Sequence, residues 1–156
     1  MNNEQCALLD NATAVNLADI PVLDYGTLRS FILGRVAGGA HVASMFAVPG
    51  KDGEFILYTV LVLSQRGKIA VAAATLDNPF YSLVGEYPAV HAFEREMAEQ
   101  WHLGPLGHPW LKPVRFQKPF PGAVDKDPGF TATGPSVMEF YRTEGEEVHE
   151  VAVGPV

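Results

Sequence analysis

The sequence predicts an α+β domain, with an antiparallel or mixed sheet of about four to six strands and two main helices packed on it. Three observations carry this prediction: a stretch with helical periodicity before residue 40, three β-rich segments joined by short turns between residues 40 and 76, and a second helical stretch near residue 90. We expect one domain over residues 21–156, preceded by a polar segment, residues 1–20, that frays.

The first helix is predicted to begin after Asp24, whose carboxylate can cap the free N–H groups of the first turn. Leu28, Phe31 and Ile32 then recur at helical spacing. The helix should end at the Ala-Gly-Gly stretch 37–39, because glycine readily takes the left-handed conformation that follows a helix C-terminus.

The three strand candidates are residues 40–50, 54–64 and 69–76. The turns "KDG" and "QRGK" between them are short, which predicts antiparallel hairpins. The second candidate is apolar throughout and is expected to be buried on both faces. In the first, loose alternation places four residues on one side of the strand: Val42, Ser44, Phe46 and Val48. We also expect a fourth short strand within residues 81–88.

The second helix is predicted to run from Ala89 to about His102, with Pro88 at its first position, where a missing N–H costs nothing. Its apolar stripe consists of Ala89, Val90, Phe93, Met97 and Trp101. Glu94 and Glu96 are expected on the borders of this stripe, while Arg95 and Glu99 face away from it and pair one turn apart. Irregular structure is expected over residues 104–135 and a hairpin near the C-terminus.

Residue chemistry alone predicts no catalytic, cofactor-binding or metal-binding residue. Acid–base catalysis needs two carboxylates that converge on one pocket, and a charged helix face is the commoner role for Glu96 and Glu99. His102 and His108 are six residues apart across a Gly-Pro break, unlike two metal ligands presented by one helix. The single cysteine, Cys6, excludes clusters and zinc sites that are built on several thiolates.

Composition narrows the range of partners. The formal net charge is −7 and the basic residues are scattered, so nucleic acid is excluded as a partner. The start of the chain lacks the basic and apolar regions of a targeting segment, and the most apolar run, residues 55–63, is too short to span a membrane. We expect a cytoplasmic protein whose only link to a membrane is through partner subunits.

The stretch "EYPAVHAFEREMAEQWHLGPLGHPWLK", residues 86–112, resembles the signature of the thirty-kilodalton subunit of respiratory complex I, the NADH–quinone dehydrogenase of bacteria. The resemblance is carried by a Glu-Arg-Glu triplet, a glutamate three residues later, and a histidine and a basic residue at fixed offsets. These are Glu94, Arg95, Glu96, Glu99, His108 and Lys112. It covers residues 24–112 and, more loosely, the last dozen residues.

Three departures from the family's pattern, at Gln100, Lys112 and Pro113, favour its hydrogenase-like or fused branch. The ending "EGEEVHEVAVGPV" is similar to the segment that leads into the catalytic domain of nickel–iron hydrogenase and formate hydrogenlyase large subunits. The resemblance therefore implies the N-terminal module of such a large subunit.

The resemblance implies a non-catalytic assembly domain, without a cofactor of its own, on the peripheral arm of a membrane-bound redox complex. Its partners would be the large, quinone- or nickel-binding subunit and the small iron–sulfur subunit. The implied interface residues are the six motif residues and Trp110, an aromatic anchor of the kind common at interface hot spots. Two alternatives stay open: an unrelated small adaptor, and a free-standing enzyme that uses Glu96, Glu99 and His108.

Overall fold

The computed structural model describes residues 5–51, 53–115 and 118–124. Its two main helices are α1 (Tyr25–Ala37) and α2 (His91–Trp101). The strands are β1 (Ala7–Asp10), β2 (Val22–Asp24), β3 (His41–Pro49), β4 (Phe55–Leu63), β5 (Lys68–Leu76), β6 (Phe80–Tyr81) and β7 (Pro105–Leu106). The α+β prediction is confirmed. The hairpin expected near the C-terminus lies outside the described residues.

Over the described residues, the main sheet has five strands and is mostly antiparallel. Its order is β1-β5-β4-β3, and β2 also joins β5. β1 pairs antiparallel with the first half of β5 and β2 pairs parallel with its second half, so the two short strands share one edge of β5. The predicted hairpins β3–β4 and β4–β5 are confirmed as antiparallel pairs.

The N-terminal segment was expected to fray, and for Ala7–Asp10 this is wrong, because these residues form β1 of the main sheet. Cys6, just before the strand, is buried in the core. The stretch "ALLD" is too short for its pattern of apolar and polar residues to predict a strand. The strand forms because these residues pair with β5, which is distant in sequence.

Helix α1 begins as predicted, at Asp24. The Asp24 carboxylate accepts hydrogen bonds from the hydroxyl of Thr27 at 2.5 Å and from its backbone N–H at 2.9 Å, and these two bonds, the hydroxyl's first, hold the pKa of Asp24 below its ordinary value. Gly38 follows the last residue of α1, and Gly39 has a φ of +87°, a conformation that favours glycine.

A β-bulge near Ala43 changes which residues of β3 face the helices. Register shifts between Val42 and Ser44, so Met45 and Ala47 are buried while Phe46 is exposed. The four residues expected on one side of the strand are therefore divided: Val42 packs against the helix-side core, and Phe46 stacks on Tyr58 on the opposite face of the sheet.

Strand β4 was expected to be buried on both faces, and the structure corrects this. Burial alternates strictly along it: every second residue is buried, namely Phe55, Leu57, Thr59, Leu61 and Leu63, and the residues between them are half-buried. A small second cluster around Ile20, Val71 and Ala73 covers part of the other face.

The main core lies between the sheet and both helices. It contains Leu28 and Ile32 of α1 and Val90 and Met97, which lie in or just before α2. Among the residues that the structure describes, no helix is long and apolar enough to cross a lipid bilayer.

The fourth strand expected within residues 81–88 is not formed as predicted. Only Phe80–Tyr81 forms a strand, and it pairs in parallel with Pro105–Leu106. Residues 82–86 instead make a bend, in which the backbone oxygen of Ser82 and the backbone N–H of Leu83 bind side chains of the two helices.

Candidate docking site

Helix α2 is bounded much as predicted. A single 3-10 turn at Pro88–Val90 leads into it, with the proline at the first turn. The left-handed residue His102, with φ of +57°, ends it. Of the predicted apolar stripe, Val90 and Met97 are fully buried, Phe93 and Trp101 are half-buried, and Ala89 is exposed.

Glu94 is fully buried, and not on the border of the stripe as expected. One of its carboxylate oxygens accepts a hydrogen bond from the Ser82 hydroxyl at 2.6 Å, and the other accepts one from the backbone N–H of Leu83 at 2.7 Å. Glu94 therefore ties α2 to the bend that follows β6. Its burial raises the pKa of this carboxyl above the ordinary value.

The other side of the same bend is held by α1. The Arg29 guanidinium donates to the backbone oxygen of Ser82 at 2.8 Å and pairs with Glu86, and the Tyr25 hydroxyl donates to the backbone oxygen of Tyr81. Burial, together with the negative charge of Glu94, raises the pKa of Tyr25 to about 12. The bend is thus fixed from both helices, which gives Glu94 a structural role.

Glu99 was expected to face away from the core, and this is also wrong, since it is buried with a 6% exposed fraction. One of its oxygens accepts hydrogen bonds from the backbone N–H groups of Val114 and Arg115, at 2.7 and 2.9 Å. These two donors lie in the irregular segment after α2, so Glu99 holds that segment to the helix.

Arg95, one turn earlier on α2, binds the same segment through its guanidinium. Its Nε donates to the backbone oxygen of Lys112 at 2.6 Å, and its Nη2 donates to that of Pro113 at 3.0 Å. Glu96 also contributes: it pairs with Arg115 at 2.6 Å and accepts from Gln100 at 3.1 Å.

The chain after α2 runs along the helix twice. Residues 103–108 return towards its start, where the His108 ring lies 3.4 Å from the backbone oxygen of His91. Residues 112–115 and 118–124 lie nearer its end, where Phe120 and Val124 donate backbone hydrogen bonds to the oxygens of Gln100 and Trp101. We call residues 103–115 and 118–124 the strap, and Pro109–Trp110 its tip.

The tip is held in one orientation by three side chains. The backbone N–H of Trp110 donates to Nδ1 of His108 at 3.1 Å, so that nitrogen is the acceptor and Nε2 carries the proton directed at His91. The Arg95 guanidinium lies 4.6 Å from the centre of the Trp110 ring, and the Lys112 ammonium lies 5.2 Å from it.

At the tip and the adjoining β6–β7 pair, three large apolar side chains of the described residues are exposed. Trp110 is 54% exposed, and Tyr81 and Leu106 are 70% and 45% exposed. Tyr81 and Leu106 are register partners of β6 and β7, so they lie side by side, and a turn from Pro105 to His108 joins Leu106 to the tip. We call Tyr81, Leu106 and Trp110 the tip surface.

Protonation of His108 should loosen the tip. Burial, with Arg95 and His91 nearby, holds the pKa of His108 below its ordinary value, so the folded form binds fewer protons than the unfolded chain as pH falls below about 6.5. Stability contributed by the neutral ring is therefore lost on acidification. We expect the hydrogen-exchange protection of the Trp110 amide, corrected for intrinsic exchange, to fall about fivefold between pH 7 and pH 5.

The variant His108→Gln is the control for this pH dependence, because it removes the titration from the tip. Its Trp110 amide should show the same protection at both pH values. Equal pH dependence in both proteins would contradict the assignment to His108.

The remaining candidate groups do not converge on a reactive site. His102 lies at the other end of α2 from His108, and its Nδ1 is 2.7 Å from the backbone oxygen of Val124. In the part of the chain that the structure describes, no group of three histidine, cysteine, aspartate or glutamate side chains is arranged to hold a metal ion. The described arrangement is suited to presenting a surface.

Sequence reasoning missed the burial of Glu94 although the signal was present. Val90, Glu94, Met97 and Trp101 follow one another at spacings of four, three and four, so Glu94 lies in the middle of the apolar stripe. The partners of Glu94 in residues 82 and 83 carried no such signal, because they are brought to α2 only by the fold.

No family model and no curated protein matches this chain. The fold and the site therefore define the class of protein by themselves: an α+β domain in which the second helix holds a long strap and presents an aromatic tip.

Proposed function

We propose that the protein is a non-catalytic assembly domain of a membrane-associated electron-transfer complex of the NADH dehydrogenase or hydrogenase type. In this proposal it binds the large subunit and the small iron–sulfur subunit, and the clusters, nickel–iron site or quinone belong to those partners. It would lie on the cytoplasmic side, linked to the inner membrane only through them. The proposal rests on the resemblance of residues 86–112 to the thirty-kilodalton subunit family of complex I.

The observation that carries a docking role is the preorganised, half-exposed ring of Trp110. A tryptophan that is already fixed loses little conformational freedom on binding, and aromatic anchors dominate many interfaces. The ring is held by Arg95 and Lys112, and its backbone is held by His108. Three residues of the family motif thus support the one exposed aromatic residue at the tip.

The hydrogen bonds and ion pair made by Glu96, Glu99 and His108 support a structural role over a catalytic one. Glu99 accepts two backbone hydrogen bonds, Glu96 is paired with Arg115, and His108 bridges two backbone groups. A general acid or base must be free to exchange its proton with a substrate. The free-standing enzyme that would use these three residues would have to break this set of contacts first.

Replacement of Trp110 by alanine should weaken association with the large subunit about tenfold, because the anchor is lost while the fold is kept. The measurement is recovery of the complex on the tagged full-length chain expressed in its native host. Mass spectrometry would identify the large and small iron–sulfur subunits, and visible absorbance would report their clusters. Phe46→Ala is the matched control, since Phe46 is an exposed aromatic residue on the opposite face of the sheet.

Recovery of subunits with iron–sulfur clusters by the wild-type chain and by Phe46→Ala, but not by Trp110→Ala, supports the proposal. Equal recovery by all three proteins would contradict a docking role for the tip. Recovery of a partner without redox cofactors would favour the unrelated adaptor.

A further inference from the structure

Two cationic side chains lie beside the Trp110 ring of the tip surface, although the chain as a whole is acidic. The formal net charge is −7, but the charged groups of the described residues that lie against the Trp110 ring are the Arg95 guanidinium and the Lys112 ammonium. Arg95 also acts on His108, where its positive charge lowers the pKa of the ring in addition to the larger effect of burial. Among the residues that the structure describes, the charges at the Trp110 ring are therefore opposite in sign to the net charge of the protein.

Among the described residues, the three glutamates of α2, Glu94, Glu96 and Glu99, bind groups other than Arg95 and Lys112. Glu94 and Glu99 are buried and bind groups of the bend and the strap, and Glu96 is paired with Arg115. Arg95 donates to two backbone oxygens, which are neutral, so these bonds orient its charge without neutralising it. Lys112 is exposed.

We propose that the tip surface binds an acidic segment of a partner protein, in which one apolar side chain packs on Trp110 and flanking carboxylates pair with Arg95 and Lys112. This inference rests on the proposed docking function and adds the chemistry of the partner. Charge complementarity supports this inference, because an apolar anchor beside two cations disfavours basic partners and favours acidic ones. The positive charge of Arg95 and Lys112 would also speed association with an acidic partner and make the rate of association depend on salt concentration.

The inference is tested with two short peptides, which makes the test independent of the identity of the parent complex. One is acetyl-Asp-Glu-Leu-Phe-Glu-Asp-amide, and the other has lysine in place of each acidic residue. Binding to the full-length chain is followed by NMR through the indole N–H of Trp110. We expect the acidic peptide to shift this signal and the basic peptide to leave it in place.

Charge reversal at the tip provides the matched comparison. Lys112→Glu should weaken binding of the acidic peptide about fivefold, because it replaces an attraction by a repulsion of similar size. Lys51→Glu makes the same charge change in the β3–β4 turn and should alter binding less than twofold. Raising the salt concentration from 50 to 300 mM should weaken wild-type binding and remove most of the difference between the two variants.

The outcomes separate this inference from the docking role itself. No shift by the acidic peptide, equal shifts by both peptides, or equal effects of the two variants would overturn an acidic partner. In each case Trp110→Ala could still weaken recovery of the complex, and the docking role would stand. Stronger binding to phosphatidylglycerol vesicles than to the acidic peptide, lost in Lys112→Glu, would overturn a protein partner in favour of an anionic lipid surface.

Discussion

Replacement of Glu94 by alanine is expected to lower the free energy of unfolding by about 3 kcal/mol, because it leaves the buried Ser82 hydroxyl and Leu83 N–H without an acceptor and opens a cavity. Glu94 is fully buried and supplies both acceptors, at 2.6 and 2.7 Å. The measurement is urea denaturation followed by far-ultraviolet circular dichroism. For a chain of this size we expect the melting temperature to fall by roughly 10 °C.

Glu86→Ala is the control for this effect. Glu86 lies in the same bend, but its side chain is half-exposed and its ion pair is with Arg29. A partly exposed pair contributes roughly 0–1 kcal/mol, so this variant should unfold close to the wild type. A loss at Glu94 no larger than the loss at Glu86 would contradict the structural role of the buried carboxylate.

The same carboxyl should give stability a particular pH dependence. Since burial raises the pKa of Glu94, the folded state keeps the proton to higher pH than the unfolded chain. The folded state therefore binds more protons just above the ordinary carboxyl pKa, and this contribution to the free energy of unfolding falls as pH rises through that window. Glu94→Gln lacks the titration, so its deficit relative to the wild type should shrink from pH 4.5 to pH 7.

The sequence predicts the two helices and the three long strands because each has a strong local signal. Each of these signals lies within the element or next to it in the chain. They are the Asp24 cap and the glycines that bound α1, and the apolar runs of β4 and β5. β1 and β6 have four and two residues, and long-range pairing with β5 and β7 decides them. Such pairings leave little trace in a single sequence.

The candidate site divides in the same way. The apolar stripe of α2 could be predicted from the spacing of its residues, and most of that stripe is buried or half-buried in the structure. The roles of Glu94 and Glu99 could not be predicted, because both side chains bind backbone N–H groups. Every residue but proline carries such a group, so the sequence does not show which of them a glutamate will bind. Trp110 was singled out by its type, and its fixed orientation depends on Arg95, fifteen residues earlier in the chain.

Replacement of Glu99 by alanine should release the second limb of the strap, which is residues 112–115 and 118–124. The free energy of unfolding should fall by about 2 kcal/mol, because two charge-assisted hydrogen bonds from Val114 and Arg115 are lost together. Hydrogen exchange should show the direct effect as lost protection of these two amides. Trp101 packs on Phe120, with ring centres 5.2 Å apart, so its fluorescence should shift to longer wavelength as the limb leaves it.

Glu96→Ala separates the anchoring of the strap from the general loss of a charge on α2. Glu96 is one turn away, half-buried, and its ion pair with Arg115 joins two side chains, not the backbone. Its loss should leave the Val114 and Arg115 amides protected. Because Arg95 still holds the strap at Lys112 and Pro113, the tip should keep its orientation in Glu96→Ala and lose part of it in Glu99→Ala. Equal exchange in the two variants would mean that Arg95, and not Glu99, is the residue on which the strap depends.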